Sequence, residues 1–127
     1  MTLTNDIPPG AQLPPYVDYR LDLATPADPT PTRSGENLVY AQVYAADGAV
    51  LVRARQDGRP LGVTPGVERG RPVFQVPVTL PRGGSSTLTF DLLEPAAAGP
   101  ARTWTTPLVK PAVVSADSFV CEAQNAR

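Results

Sequence analysis

Apolar and polar residues alternate over short runs in this chain, and proline, glycine or Asp-Gly steps cut the runs apart. The cleanest run is STLTFDLLE, where Leu88, Phe90 and Leu92 take one side and Thr87, Thr89 and Asp91 the other. Such period-two alternation predicts a half-buried β-strand. The same pattern marks Val17 to Ala24, with Val17, Tyr19, Leu21 and Leu23 set against Asp18, Arg20 and Asp22. NLVYAQVYA places Val39, Ala41 and Val43 opposite Leu38, Tyr40, Gln42 and Tyr44. AVLVRAR places Val50, Val52 and Ala54 opposite Leu51, Arg53 and Arg55, and PVFQVPVTL carries Phe74, Val76, Val78 and Leu80 on one face. Pro77 inside the last of these predicts an edge strand or a bulge. MTLTN adds a short strand at the start, and TWTTPLVKPAVV one or two extended segments near the end.

The breaks between runs are equally specific. Asp47-Gly48 and Asp57-Gly58 lie ten residues apart with an apolar run between them. Asp-Gly between alternating runs is a hairpin signal, because glycine accepts positive φ without steric cost. Tyr44 to Val63 therefore reads as a β-meander. PRGGSS reads as a further hairpin turn, and PGVERGRP, DIPPGAQLPPYVDY and TPADPTPTRSGEN as loops.

Seven or eight short strands with a turn signal about every ten residues predict an all-β protein, an immunoglobulin-like antiparallel β-sandwich. The expected domain covers 1–114, followed by a polar tail over 115–127 in which VSADSFVCEAQNA offers a short terminal helix. The opening MTLTND reads as the middle of a strand, so the chain is expected to be a piece of a longer protein.

Composition narrows the function. With 127 residues, 42% hydrophobic and 18% charged, the chain suits one globular domain with a buried core. Sixteen prolines leave little room for long helices, since an interior proline costs a helix roughly 3 kcal/mol. Net charge is −1, with ten arginines and Lys110 scattered, so there is no basic stripe for nucleic acid and no polybasic segment for a membrane surface. No apolar stretch is long enough to span a bilayer, and no secretory signal opens the chain.

Candidate chemistry is sparse. The absence of histidine excludes a Ser-His-Asp triad and any His-ligated metal. Cys121 is the single cysteine and reads as an incidental thiol in a polar tail. Asp6, Asp18, Asp22, Asp28, Asp47, Asp57, Glu68, Asp91 and Glu94 fall in turns or on polar strand faces and read as solvated groups, not as a glycosidase pair. No Asp-x-Asp-x-Asp ladder offers a calcium loop, and the serines have only Lys110 as a candidate base. PRGGSS lacks the lysine a phosphate loop needs. No catalytic residue, metal site or cofactor is expected.

The order of these segments carries a resemblance. TLTNDIPPG followed by LPPY, then NLVYAQVYAADGAVL, then DGRPLGVTPGVERGRPVFQVPVTLPRGGSSTLTFDLLEP and PLVKP resembles the C-terminal part of an actinobacterial family, domain of unknown function four-zero-one-two. The resemblance runs from Thr2 to about Val114, and the tail departs from it. Members pair an N-terminal membrane anchor with a long extracytoplasmic region. The resemblance implies placement outside the membrane, as one module of a surface protein, and transfers no catalytic residue.

The aromatics are the best binding candidates. Tyr16 and Tyr19 flank a proline-rich loop, Tyr40 and Tyr44 share a strand face, and Trp104 sits among threonines. Flat rings on an exposed face stack on sugars or proline-rich peptides. With eight aromatics in all, packing is expected to claim most of them, Trp104 and two tyrosines included. The expected role is a non-catalytic structural or interaction module whose partners are other domains of its parent or neighbouring envelope proteins. The alternative is a carbohydrate-binding module using Trp104 and the Tyr16/Tyr19 loop.

Overall fold

A computed structural model describes residues 1–18, 20–29, 35–95 and 113. Met1–Pro95 forms one compact unit, and 96–127 a second that, apart from Val113, lies outside the described residues. The expected domain boundary at 114, the terminal helix, the strands over 103–114 and Cys121 all fall there.

The chain is all-β. Its strands are β1 (Thr2–Thr4), β2 (Asn37–Tyr44), β3 (Val50–Gln56), β4 (Arg59–Pro60), β5 (Thr64–Glu68), β6 (Arg71–Leu80) and β7 (Ser85–Leu93). They form two antiparallel sheets, of order β1-β7-β3-β4 and β2-β6-β5. The sheets face each other as a β-sandwich over two adjoining clusters. Ala41, Val76, Val78, Leu80 and Leu88 form one; Ala45, Ala49 and Phe74 form the other. Val63 and Phe90 pack against both. As the alternation predicts, Ala41 of β2 and Leu88 of β7 point inward, while Thr87, Thr89 and Tyr40 point out.

Turn geometry assigns the connections. At Asp57-Gly58 both residues have positive φ, 50° and 79°, as a two-residue type I′ hairpin requires. This hairpin joins β3 to β4 and is anchored sideways: the Asp57 carboxylate accepts from Thr87 N (2.7 Å) and Ser86 Oγ (3.0 Å). Asp47-Gly48 differs. Only Gly48 has positive φ there, the Ala49 amide donates to Ala46 O, and the chain crosses from one sheet to the other. The expected meander over Tyr44 to Val63 is therefore half right. PRGGSS is likewise a crossover, from β6 to β7, and not a hairpin. Conversely PGVERGRP contains β5 and a hairpin, with Arg69-Gly70 at φ 51° and 77°.

Two further readings are corrected. Val17 to Ala24 is not a strand: Pro15–Asp18 is one helical turn and Leu21–Leu23 a 3-10 turn, held by local bonds from Val17 N to Pro14 O and Leu23 N to Arg20 O. Its charged residues tie the loop together. Arg20 is buried, grips Asp22 through both carboxylate oxygens and also pairs with Glu36, while Asp18 accepts from Gly35 N. In β3 the pairing with β7 shifts between Leu51 and Arg53. This bulge at Val52 puts Val50 and Val52 outside and Leu51 and Ala54 inside, so Val50, Val52 and Ala54 do not share a face.

The strand prolines obey one rule. The Ala45 amide donates to Pro72 O, so even-numbered residues of β6 direct their backbone groups at β2 and odd ones at the β5 side. Pro77 is odd, and β5 ends its pairing at Gln75, so the missing N–H faces no strand of the described residues. Pro65 in β5 and Pro60 in β4 likewise direct their nitrogens away from the ladder.

Candidate functional site

Tyr40 and Tyr44 stand on the outer face of the three-stranded sheet, 70% and 50% exposed. They alternate with Ala41 and Val43, which face the core side, and the strand between them holds no proline or glycine to break the pleat. Four residues of strand set the two positions about 13 Å apart. Gln42 lies between them, opposite Gln75 on β6, and Tyr40 lies opposite Pro77. Neither of these two tyrosines therefore belongs to the sandwich core.

Tyr44 is held in place. Its register partner on β6 is Val73, whose own partner on β5 is Gly66. The Tyr44 hydroxyl donates to Glu68 Oε2 at 2.5 Å, on the far strand of the sheet. The ring must therefore cross β6 at the level of Val73. This accounts for Val73 being 1% exposed although it points away from the core. The bond to Glu68, with some burial and the nearby negative charge, holds the Tyr44 hydroxyl above its ordinary pKa. Half of the Tyr44 side chain stays exposed.

The other candidates are not brought to this face. Tyr16 lies in the Pro15–Asp18 turn with its side chain outside the described part; Tyr19 and Trp104 lie outside the described residues altogether. Several carboxylates expected to be merely solvated have structural partners. Asp57 anchors a turn, Asp91 accepts from Arg53 at 2.7 Å on the outer face of the four-stranded sheet, and Glu94 accepts from Ala46 N. Ser86 is buried between Gln56 and Asp57, its hydroxyl committed to them. Among the described residues no group of three or more His, Cys, Asp or Glu could hold a metal ion. No helix among them is long and apolar enough to cross a membrane.

Sequence reasoning missed the role of Glu68. The signal was Glu-Arg-Gly-Arg, a two-residue turn with glycine second, which makes Glu68 the last residue of a strand and so fixes its face. Two shallow depressions lie on the surface of the described residues. One lies beside the Asp57 hairpin, at Gln56, Arg59 and Leu61. The other is apolar and open, lined by Leu51, Val63, Pro65 and Phe74 at the β3/β5 margin. In the first, the Asp57 carboxylate is already engaged by Ser86 and Thr87.

No protein-family model, curated protein or solved structure matches this chain.

Proposed function

We propose that this chain is a non-catalytic interaction module of a bacterial cell-envelope protein, working outside the membrane and docking its partner on β2. The single observation that carries the contact is the pair Tyr40 and Tyr44, both exposed on one uncharged strand, with Tyr44 fixed by Glu68. A ring held before binding loses little freedom on binding, which is what preorganised contact surfaces exploit. The resemblance from Thr2 to about Val114 supports the placement outside the membrane and the partners: other domains of the same parent protein or its envelope neighbours. The strand order supports the immunoglobulin-like reading, since β2-β6-β5 and β7-β3 follow the B-E-D and F-C arrangement of that sandwich.

A photo-crosslinking residue at Gln42, in cells that make the full parent protein, tests this. Adducts with an envelope component from position 42, and none from Thr89 on the opposite outer face, are the expected result. Equal labelling from both positions, or none from either, overturns the proposal.

One observation favours a second reading. Gln42 and Gln75, opposed between the two tyrosines, make an uncharged stretch able to stack on sugar rings and hydrogen-bond their hydroxyls. A neutral polysaccharide is then the partner. Titration into the chain with tyrosine ring resonances observed separates the two, because a glycan ligand moves Tyr40 and Tyr44 together.

A further inference from the structure

Free strand edges in this fold are treated unequally. The β4 edge is two residues long and carries Pro60. On β5, Pro65 removes a donor from the free side. The uncovered part of β3 is bulged at Val52 and carries Arg53, and β1 has three residues. These are the usual devices by which proteins block edge-to-edge pairing: short strands, proline, bulges and charge. β2 has none of them. It is eight residues long, NLVYAQVY, without charge, proline or glycine, and it lies at the edge of its sheet among the described residues.

The parity set by the bond from Ala45 N to Pro72 O makes the edge specific. Odd residues of β2 bond β6, so Leu38, Tyr40, Gln42 and Tyr44 direct N–H and C=O to the free side. An antiparallel copy of the same strand presents the same set. Pairing all of Leu38 to Tyr44 centres the two-fold axis on Ala41. Tyr40 then opposes Gln42, and Leu38 opposes Tyr44, all as hydrogen-bonded pairs. No charge meets its like across the axis, because the strand has no charge.

Resting on the reading of β2 as the contact strand, we propose that its partner is β2 of a second copy, the two sheets joining into one continuous antiparallel sheet. Strand addition of this kind draws affinity from the main chain and selectivity from alternate side chains, here Tyr40 and Gln42.

The test uses the whole chain, with Cys121→Ser as background. Sedimentation velocity is expected to show a dimer that grows with concentration. Gln42→Pro removes an N–H that only the second copy uses, and Gln42→Glu brings like charges close to the axis. Both should stay monomeric with unchanged melting, and Gln42→Glu decides the matter if the proline variant fails to fold. Opposed cysteines in a hydrogen-bonded pair lie about 5.5 Å apart at Cα, within disulfide reach, so mixed Tyr40→Cys and Gln42→Cys chains should crosslink at least about tenfold faster than Thr79→Cys chains. A monomer at every concentration, or a dimer that survives in both Gln42 variants, overturns the proposal. A monomeric chain that still gives envelope adducts from position 42 overturns the second copy alone and leaves the interaction reading standing.

Discussion

The Nδ2 of Asn5 donates to the carbonyl oxygen of Leu80 at 3.2 Å, across the gap between the two sheets. The same nitrogen donates to Gly35 O at 2.7 Å, and the Asn5 backbone amide to Gly84 O. One buried side chain thus ties the end of β1 to the end of β6 and the entry to β2, while the Asn5 backbone reaches the start of β7.

Asn5→Ala should therefore cost more than its size suggests. Two buried carbonyls each lose a donor, and Gly35 O loses its 2.7 Å partner, so we expect a loss of about 1–3 kcal/mol. Urea unfolding checks this through a lower midpoint at unchanged slope. Asn5→Asp should be no better, since a carboxylate cannot donate.

Glycine dependence should follow backbone geometry and not sequence context. Gly58 has φ 79° with open space around it, whereas Gly62 has open space without a positive φ. Gly58→Ala is expected to destabilise by about 1 kcal/mol, while Gly62→Ala should be neutral or slightly stabilising. Paired thermal melts decide this; equal losses would contradict the assigned turn.

Burial predicts a second contrast. Leu88 is wholly buried in the main cluster, and Val67 is 77% exposed near a hairpin end. Leu88→Ala should lose about 2–5 kcal/mol, and Val67→Ala should stay within about 0.5 kcal/mol of the parent in the same denaturation assay.

The Tyr44–Glu68 bond carries a pH signature. Tyr44 titrates above the ordinary tyrosine value in the fold because its protonated hydroxyl is bonded to the carboxylate. Its stabilising contribution is therefore complete below the unfolded tyrosine pKa of about 10 and is lost as pH rises through the folded value. Ring-carbon NMR should show Tyr44 titrating late in the parent, and Glu68→Ala should bring it back toward the ordinary value. A Tyr44 curve unaffected by Glu68→Ala would refute the crossing geometry.

Most of the strands were legible before the structure, because burial on one face writes itself into period two, as in Leu88, Phe90 and Leu92. The failures have physical causes. Val17 to Ala24 alternates too, but Arg20 is engaged by Asp22 and Glu36 and its backbone bonds are local, so the alternation serves ion pairing and not a sheet. The bulge at Val52 depends on how β3 meets β7, which no local pattern encodes. Asp47-Gly48 and Asp57-Gly58 look alike in sequence; one crosses between sheets and the other closes a hairpin, and the sign of φ at the aspartate separates them. Tyr40 and Tyr44 were visible as a shared face. The strut from Tyr44 to Glu68 was not, because it joins strands twenty-four positions apart in the chain.

Pro60 and Pro65 bear on more than local geometry. Each denies a would-be neighbour the donor it needs, at margins far from β2. Among the described residues, a strand added to β2 meets no such proline, and beyond it lies only the Pro65 margin of the added copy's sheet. If β2 pairs with a second copy, assembly is finite: it closes at a pair instead of propagating as a ribbon, even where many copies are crowded side by side.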